Sequence, residues 1–190
     1  MRTIEKVKTL TDKECIVDFL YKEVCSHPCA SCGKCVFGYE GITQLQLILK
    51  DIISKKAQPE DYRLLHDLSD LMISQSLCDD GKEIGEAVRF SLERYREDFE
   101  LHIARKACPA EVCSRFLTFH ILASKCTGCN DCMSVCEDGA ILGKPKFIHV
   151  IELDDCMQCG KCLNVCDQQA IVTAGLKKPK GPRKPIPVKK

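Results

Sequence analysis

The amino-acid sequence predicts an α+β protein, in which a small antiparallel helical bundle is followed by a cysteine-rich module of short strands and by a disordered basic tail. Through most of the first 104 residues, apolar side chains recur at three- and four-residue spacing, as they do in amphipathic helices. Short β-prone runs then alternate with clusters of cysteine. The last fourteen residues combine Lys and Arg with four Pro, so they are expected to stay extended. These boundaries divide the chain into residues 1–114, 115–176 and 177–190.

The bundle is expected to contain four helices. Thr11 and Glu14 have the spacing of a capping box and stand before an apolar stripe, so they predict a helix start. Pro28 and Pro59 interrupt the apolar pattern and predict breaks between helices. Short turns between such helices are typical of an antiparallel bundle. The predicted helices cover about residues 12–25, 41–54, 60–78 and 82–104, and residues 1–11 are expected to form a polar arm.

Four apolar, β-prone runs predict the strands of the second module. They are residues 115–122, 140–142, 147–153 and 170–172. The pair Ala140-Ile141 recurs thirty residues later as Ala170-Ile171. We therefore expect two pseudo-symmetric halves around a small antiparallel sheet.

The strongest chemical signal is a pattern of four cysteines that occurs twice. Residues 126–136 read C-T-G-C-N-D-C-M-S-V-C, and residues 156–166 read C-M-Q-C-G-K-C-L-N-V-C. Thiolates at positions i, i+3 and i+6 can surround one side of an iron–sulfur cluster, and a fourth cysteine follows on the next helix. The repeat therefore indicates two [4Fe–4S] clusters.

Zinc and disulfides are the alternatives for these eight thiols. Structural zinc sites usually pair two C-x2-C motifs across a longer loop, which is not the pattern of two groups of three plus one. Disulfides form in oxidising compartments, and Arg2, Glu5 and Lys6 leave no room for the apolar segment of an export signal after Met1. With 16 Cys in 190 residues, the chain needs cross-links or metals for stability, and we expect metals in a cytoplasmic protein.

Residues 125–172 resemble the bacterial-type 2[4Fe–4S] ferredoxin fold. In that family the fourth cysteine of each half binds the other cluster. The chain departs from the family because Glu137 and Asp167 replace the usual Pro after each fourth cysteine, and their negative charge is expected to lower the reduction potentials. The resemblance implies that Cys126, Cys129, Cys132 and Cys166 bind one cluster and that Cys156, Cys159, Cys162 and Cys136 bind the other.

A further cysteine run lies nearer the N-terminus. Cys29, Cys32 and Cys35 have the same spacing, and Cys78 follows after a long helical segment. Together with the downstream sequence C-P-A-E-V-C, this pattern resembles the C-terminal iron–sulfur region of the NADH-binding flavoprotein subunit. That subunit occurs in complex I and in bifurcating or NAD-reducing hydrogenases. Its iron–sulfur region holds a [4Fe–4S] cluster through three nearby cysteines and one distant cysteine.

The chain departs from this family at one ligand position, because the third family cysteine falls on Gly38. Cys29 offers a replacement three residues before Cys32, whereas Cys25 is expected to be a buried free thiol rather than a ligand. A site without a cluster is the alternative. The resemblance implies a third [4Fe–4S] cluster bound by Cys29, Cys32, Cys35 and Cys78.

A separate group of ligand-type residues surrounds the C-P-A-E-V-C loop. His102 precedes the two cysteines of this loop, Cys108 and Cys113. Zinc prefers four nitrogen or sulfur ligands, and Cys15 is available as the fourth. In hydrogenase members of the family, a cysteine at the start of the first helix, a histidine and this loop are associated with structural zinc. The resemblance therefore implies zinc bound by these four residues, and the alternative is a loop with two buried free thiols.

The charge of the chain is unevenly distributed. The formal net charge is +1, but the tail contains seven basic residues and no acidic residue, so residues 1–176 carry a net charge of −6. The acidic body and the lack of aromatic residues among the basic ones argue against nucleic-acid binding. Two interpretations of the tail are compatible with the sequence: it docks on an acidic partner subunit, or it has no role. No apolar run reaches the roughly eighteen residues that a membrane span needs.

These features predict an electron-transfer subunit rather than an enzyme. The chain contains no G-x-G-x-x-G loop for a dinucleotide and no recognisable set of catalytic side chains outside the metal-ligand positions. The resemblance implies that three clusters relay electrons between a flavin- and NAD(H)-binding or hydrogenase-type subunit and another iron–sulfur subunit or soluble ferredoxin. The alternatives are a metal-stabilised assembly subunit of a redox complex and an iron–sulfur redox sensor.

Overall fold

The computed structural model describes residues 3–27 and 35–188. The chain forms two compact units, Met1–Phe116 and Leu117–Lys190. The first unit is helical and the second combines short strands with short helices, which confirms the α+β class. Among the helices within the described ranges, none is long and apolar enough to cross a lipid bilayer.

The described part of the first unit is built from six helices and one 3-10 turn. The helices are α1 (Thr3–Lys8), α2 (Ile16–Ser26), α3 (Val36–Ile53), α4 (Asp61–Gln75), α5 (Asp79–Arg94) and α6 (Arg96–Ala104), and the 3-10 turn covers Ser114–Phe116. Helix α4 packs along α5, and α2 packs on α3, as expected for neighbours in a bundle. Their apolar faces meet in one core, whose fully buried members include Leu20, Leu45, Met72, Leu92 and Phe99.

The polar arm predicted at the N-terminus is wrong for its described part, because Thr3–Lys8 form helix α1. Val7 is fully buried, and its carbonyl oxygen accepts a hydrogen bond of 3.1 Å from the hydroxyl of Tyr95. The N–H of Thr3 donates to the carboxylate of Glu83 on α5. A single buried apolar side chain gives no periodic pattern, so the sequence could not reveal that this segment packs on the bundle.

The helix predicted over residues 82–104 starts earlier and is interrupted. Cys78 caps α5, since its Sγ accepts a 3.3 Å hydrogen bond from the N–H of Gly81, so the helix begins at Asp79. Tyr95 separates α5 from α6, with φ −115° and ψ 35°. The apolar pattern continues through this break because Leu92 and Phe99 are buried in the same core.

The second unit contains short strands and helices in alternation. The strands are β1 (Thr118–Ile121), β2 (Ile141–Leu142), β3 (Phe147–Ile148), β4 (Val150–Ile151), β5 (Ile171–Ala174) and β6 (Ile186–Pro187), and the helices are α7 (Asp131–Ser134) and α8 (Lys161–Val165). Within the described residues the strands form three antiparallel pairs, β1 with β5, β2 with β4 and β3 with β6, in place of the single small sheet expected. The strand predicted at 147–153 is divided because β3 and β4, on either side of His149, have different partners.

The tail prediction is corrected at Ile186–Pro187, which form β6 rather than disordered chain. Ile186 lies opposite Ile148, and the N–H of Val188 donates to the carbonyl of Lys146 at 3.0 Å. Proline lacks an N–H group but is tolerated on an edge strand. The Lys, Arg and Pro content could not indicate that β3 offers a free edge for this pairing.

Candidate metal centres

Two cavities in the second unit are each lined by four cysteines. Cys126, Cys129, Cys132 and Cys166 line the first four-cysteine cavity, and Cys136, Cys156, Cys159 and Cys162 line the second. The structure therefore brings together the two groups of four cysteines that the resemblance implies.

The backbone repeats across the two halves as the cysteines do. Several pairs of residues thirty positions apart share a left-handed conformation, in which φ is positive. These pairs are Gly128 and Gln158, Asn130 and Gly160, and Gly139 and Gln169. Left-handed residues in turns can direct successive N–H groups toward one concavity, where they favour an anion. This backbone suits a cluster held by four thiolates, whose total charge is negative.

The thiols in both cavities need a cation in order to ionise together. Cys132 and Cys162 are buried in an apolar cluster that contains Ile141 and Ile171. Burial and the neighbouring thiolates raise the pKa of Cys132 to about 12, and burial raises the pKa of Cys162. Because iron ions supply positive charge to such thiolates, the donor set and its surroundings fit a [4Fe–4S] cluster in each cavity.

The side chains that surround the sulfur atoms differ between the two cavities. In the first cavity, Nδ1 of His149 lies 3.8 Å from Sγ of Cys126, and Nε2 lies 3.1 Å from Oδ1 of Asn130. In the second cavity, the position thirty residues before His149 is Phe119, which offers only an apolar ring. Sequence reasoning missed His149, and comparison of the two halves at this spacing was the signal that could have found it.

The first cysteine loop is packed tightly against the start of β3. The N–H of Lys146 donates to the carbonyl of Gly128 at 2.9 Å. A Cβ on Gly128 would lie 2.7 Å from the backbone nitrogen of Phe147 and 2.8 Å from Cα of Lys146. Glycine is therefore required at this position for steric reasons as well as for its positive φ of 73°. Since β3 pairs with β6, the C-terminal strand supports the same loop.

An ion pair joins the two halves beside the second cavity. Nζ of Lys161, the first residue of α8, lies 2.5 Å from a carboxylate oxygen of Glu137. The hydrogen bond from Lys161 lowers the pKa of Glu137. Glu137 is therefore ionised near neutral pH, with a partner of opposite charge.

Two cysteines of the proposed third site meet at the start of two helices in the first unit. Cys35 caps α3 and Cys78 caps α5, and each thiol accepts a hydrogen bond from the backbone N–H three residues later, at 3.2 and 3.3 Å. Hydrogen bonds from the backbone of Leu77 and Gly38 lower the pKa of Cys35. Both thiols thus lie where the partial positive charge of a helix N-terminus favours thiolate.

The other residues of this site are placed as follows. The predicted ligands Cys29 and Cys32 lie outside the described residues. Gly38, at the position of the family cysteine, is buried and contributes its N–H group to Cys35. The predicted burial of Cys25 is wrong, because this thiol is exposed on α2.

The structure brings all four predicted zinc ligands together. Their ligand atoms lie within 4.8 Å of one another, and all four residues are buried. Nε2 of His102 lies 3.2 Å from Sγ of Cys15 and 3.8 Å from Sγ of Cys113. A tetrahedron with Zn–S bonds of about 2.3 Å and Zn–N bonds of about 2.0 Å has edges of about 3.5 to 3.8 Å between its ligand atoms. The four side chains of Cys15, His102, Cys108 and Cys113 therefore fit one tetrahedral ion, and we call them the Cys3His site.

Local structure fixes the orientation of each ligand in the Cys3His site. Cys15 is the N-cap of α2, and His102 lies in the last turn of α6. Nδ1 of His102 donates to the carbonyl of Asp98 at 2.7 Å, which leaves Nε2 free to bind a metal. The ring of Phe116 packs edge-on against the imidazole, with ring centroids 5.0 Å apart. Lys106 adopts a left-handed conformation after α6, and the chain turns back toward His102 with Cys108.

The ionisation of the thiols in the Cys3His site also favours a bound cation. Burial opposes protonation of His102, but the adjacent thiolates of Cys108 and Cys15 outweigh it and raise the pKa of His102 to about 10. A hydrogen bond between Cys108 and Cys113 lowers the pKa of the first thiol and raises that of the second. The three thiols therefore share protons instead of ionising together, and a divalent metal is the ordinary replacement for those protons.

Comparison with known families agrees with this division of the cysteines. Residues 17–102 match the NADH-ubiquinone oxidoreductase-F iron-sulfur binding region, and residues 125–170 match the 4Fe-4S dicluster domain. The chain combines these two iron–sulfur regions. The F-type region contains Cys35 and Cys78, and the dicluster domain contains all eight repeated cysteines. Of the Cys3His site, only His102 lies within a matched region.

Several named proteins are similar to parts of the chain. The NADP-reducing hydrogenase subunit HndC of Solidesulfovibrio fructosivorans is 34% identical over 119 residues, which cover 63% of this chain and 24% of HndC. The F-type subunit of NADH-quinone oxidoreductase from Streptomyces coelicolor is 37% identical over 79 residues, and that from Mycobacterium bovis is 30% identical over 79 residues. These segments cover 42% of this chain and 18% of each of the two F-type subunits. The chain thus spans a quarter or less of the length of these relatives.

Proposed function

We propose that this chain is an electron-transfer subunit of an oxidoreductase complex. It relays electrons through three [4Fe–4S] clusters between a flavin- and NAD(H)-binding or hydrogenase-type partner and another iron–sulfur subunit or soluble ferredoxin. The observation that carries the proposal is the grouping of eight repeated cysteines into two cavities of four thiols each. The relatives add support, since they are named as subunits of an NADP-reducing hydrogenase and of NADH-quinone oxidoreductase.

In this proposal each cavity of the dicluster domain holds one cluster. A [4Fe–4S] cluster held by four thiolates gains and loses one electron at a time. The protein fixes the thiolates, buries part of each cavity and sets the charge and the hydrogen bonds around the sulfur atoms. The ligands are Cys126, Cys129, Cys132 and Cys166 in the first cavity and Cys156, Cys159, Cys162 and Cys136 in the second.

The F-type region holds the third cluster, with Cys29, Cys32, Cys35 and Cys78 as its ligands. Cys35 and Cys78 support this assignment because both thiols cap long helices and accept backbone hydrogen bonds. The helix dipoles favour the negative charge of a thiolate-bound cluster. Cys29 stands in for the family cysteine that is absent at Gly38.

Zinc at the Cys3His site has a structural role in this proposal. Four protein ligands complete a tetrahedron and leave no open position for substrate, as is usual for structural zinc. The ion joins the start of α2 to the end of α6, which are far apart in sequence. Each proposed cluster is likewise held by four protein ligands and has no open position for substrate. In this proposal the chain is therefore not an enzyme on its own.

Analysis of iron, sulfide and zinc in anaerobically purified protein tests the proposal. We expect about twelve iron atoms and about one zinc per chain, and reversible reduction that is visible by EPR. Replacement of Cys29 by Ala should remove about four of the iron atoms. A colourless preparation, or a brown one that dithionite does not bleach, would contradict the relay.

A metal-stabilised assembly subunit is the second candidate. The Cys3His site favours it, because four buried ligands from distant segments stabilise a fold without any need for electron transfer. The two candidates differ in kinetics. A relay requires that a purified partner reduce the clusters faster than the whole complex turns over, whereas an assembly subunit gives clusters that no partner reduces at that rate.

A further inference from the structure

The repeat allows the surroundings of the two four-cysteine cavities to be compared position by position. Most of the apolar lining is the same on both sides. Ile121 in the first cavity corresponds to Ile151 in the second, Ala170 corresponds to Ala140, and Ile171 corresponds to Ile141. Against this common background, the first cavity has an imidazole at His149 where the second has the phenyl ring of Phe119.

The protein builds a defined space for the His149 ring. His149 is 1% exposed, and a Cβ on Gly143 would lie 1.9 Å from its Cδ2. Gly143 is not among the glycines with positive φ, so the ring rather than the backbone conformation accounts for glycine there. The side chain of Asn130 contacts Nε2 at 3.1 Å and fixes the rotation of the ring. As a result Nδ1 faces Sγ of Cys126 at 3.8 Å.

The position of the proton on His149 follows from the chemistry of a cluster ligand. A thiolate bound to iron can only accept a hydrogen bond, so Nδ1 must carry the proton if the two groups interact. Nε2 of the neutral ring then accepts from the amide of Asn130. In the structure Oδ1 of Asn130 faces Nε2. Rotation of the amide by half a turn exchanges its oxygen and nitrogen, so that an N–H group of Asn130 faces Nε2 and donates to it.

We propose that His149 donates an N–H···S hydrogen bond to Cys126 and thereby raises the reduction potential of the cluster in the first cavity. The inference rests on the proposed function, since it requires a cluster at that site. Reduction adds one electron and increases the negative charge on the sulfur atoms, so a hydrogen-bond donor stabilises the reduced form more than the oxidised form. The proton stays on His149, and no bond is formed or broken.

The test is an EPR-monitored redox titration of the full chain, with iron and sulfide analysis of each sample. His149→Phe reproduces the residue found in the other half of the repeat. We expect full iron content and one reduction step at lower potential, with its reduction equilibrium constant smaller by about ten-fold, which corresponds to about 59 mV for one electron. The remaining steps should stay in place.

Two further variants separate the hydrogen bond from packing. Asn130→Gly reproduces Gly160 of the other half and keeps a residue suited to the positive φ of 82°, so it should lower the same potential by a smaller amount. Phe119→Leu changes the counterpart ring in the second cavity without removing any donor, so any shift it causes should fall on the other reduction step and be smaller than that of His149→Phe.

The outcomes distinguish this inference from the proposed function. His149→Phe protein with full iron and unchanged potentials would overturn the inference and leave the relay intact. A shift of equal size in Phe119→Leu would also overturn it, because ring packing would then explain the effect. If His149→Phe loses iron, the Asn130→Gly protein becomes the deciding test. A lowered potential for the same reduction step in Asn130→Gly supports the hydrogen bond, and an unchanged potential refutes it. Wild-type protein without clusters would refute both proposals.

Discussion

Replacement of His102 by Ala should remove the proposed zinc and strongly destabilise the first unit. The substitution deletes the ligand whose Nε2 lies 3.2 Å from Cys15 and 3.8 Å from Cys113. It also removes a fully buried ring that packs on Phe116. The three thiols that remain are buried and lose the cation that allows them to ionise, so the folded state loses both the ion and a packed side chain.

The size of the effect can be worked out from these two losses. A ligand present at 1,000 times its Kd stabilises the folded state by about 4.1 kcal/mol. Burial of a side chain of this size contributes about 2 kcal/mol, so the total is about 6 kcal/mol. A unit of 116 residues has an unfolding entropy of about 0.24 kcal/mol/K, from about 2.1 cal/mol/K per residue. The melting temperature of the first unit should therefore fall by about 25 °C.

Anaerobic calorimetry together with zinc analysis measures this change, and the chain offers two matched controls. His66 on α4 is partly exposed, and its Nδ1 lies 3.6 Å from a carboxylate oxygen of Asp70 on the surface of the same helix. His66→Ala should therefore change the free energy of unfolding by no more than about 0.5 kcal/mol. His102→Cys keeps four zinc ligands and should retain the metal. The reasoning is refuted if His102→Ala keeps its zinc or melts at the same temperature as His66→Ala.

Three further predictions concern the iron–sulfur sites. Cys78→Ala should remove about four iron atoms per chain, whereas Cys25→Ala should remove none; equal iron in the two proteins would rule out Cys78 as a ligand. Gly128→Ala and Gly139→Ala both place a Cβ at positive φ, but only the first meets backbone atoms below 3.0 Å, so only Gly128→Ala should lower the iron content, as measured by iron analysis. Deletion of residues 185–190 removes β6 and the support of β3, so a chelator should extract iron several-fold faster; an unchanged rate would show that the strand does not stabilise the first cysteine loop.

The grouping of the cysteines was predicted partly from their spacing and partly from the resemblance to two-cluster ferredoxins. Three thiols at i, i+3 and i+6 can surround one side of a cluster, and this part of the grouping follows from spacing. The assignment of the fourth thiol of each half to the other cluster came from the resemblance, and the structure places that thiol in the other cavity. The Cys3His site was also accessible, since Cys108 and Cys113 lie within six residues of each other and His102 precedes them. In both cases the ligand chemistry restricts which residues can meet.

Other features depended on contacts that no local pattern encodes. Helix α1 contributes one buried apolar side chain, Val7, and two hydrogen bonds to distant residues, and β6 is held by pairing with β3. The importance of His149 follows from its neighbours, Gly143 and Asn130, and not from its own position in the sequence. Features of this kind depend on tertiary contacts, in which one segment fills a space or pairs with a strand edge that another segment provides.

At the first four-cysteine cavity, charge and hydrogen bonding should shift the reduction potential in opposite directions. Asp131 lines the first cavity, and its counterpart in the second is Lys161, which pairs with Glu137. Asp167 follows the last ligand of the first cavity and takes part in no ion pair within residues 3–27 and 35–188. The lowering of potential expected from the two carboxylates that replace Pro should therefore be felt mainly at the first cavity, where the proposed hydrogen bond from His149 opposes it. The duplicated backbone thus surrounds its two sets of thiols with different charges and donors, and the balance of these opposing effects would set how far the potential of the first centre departs from that of the second.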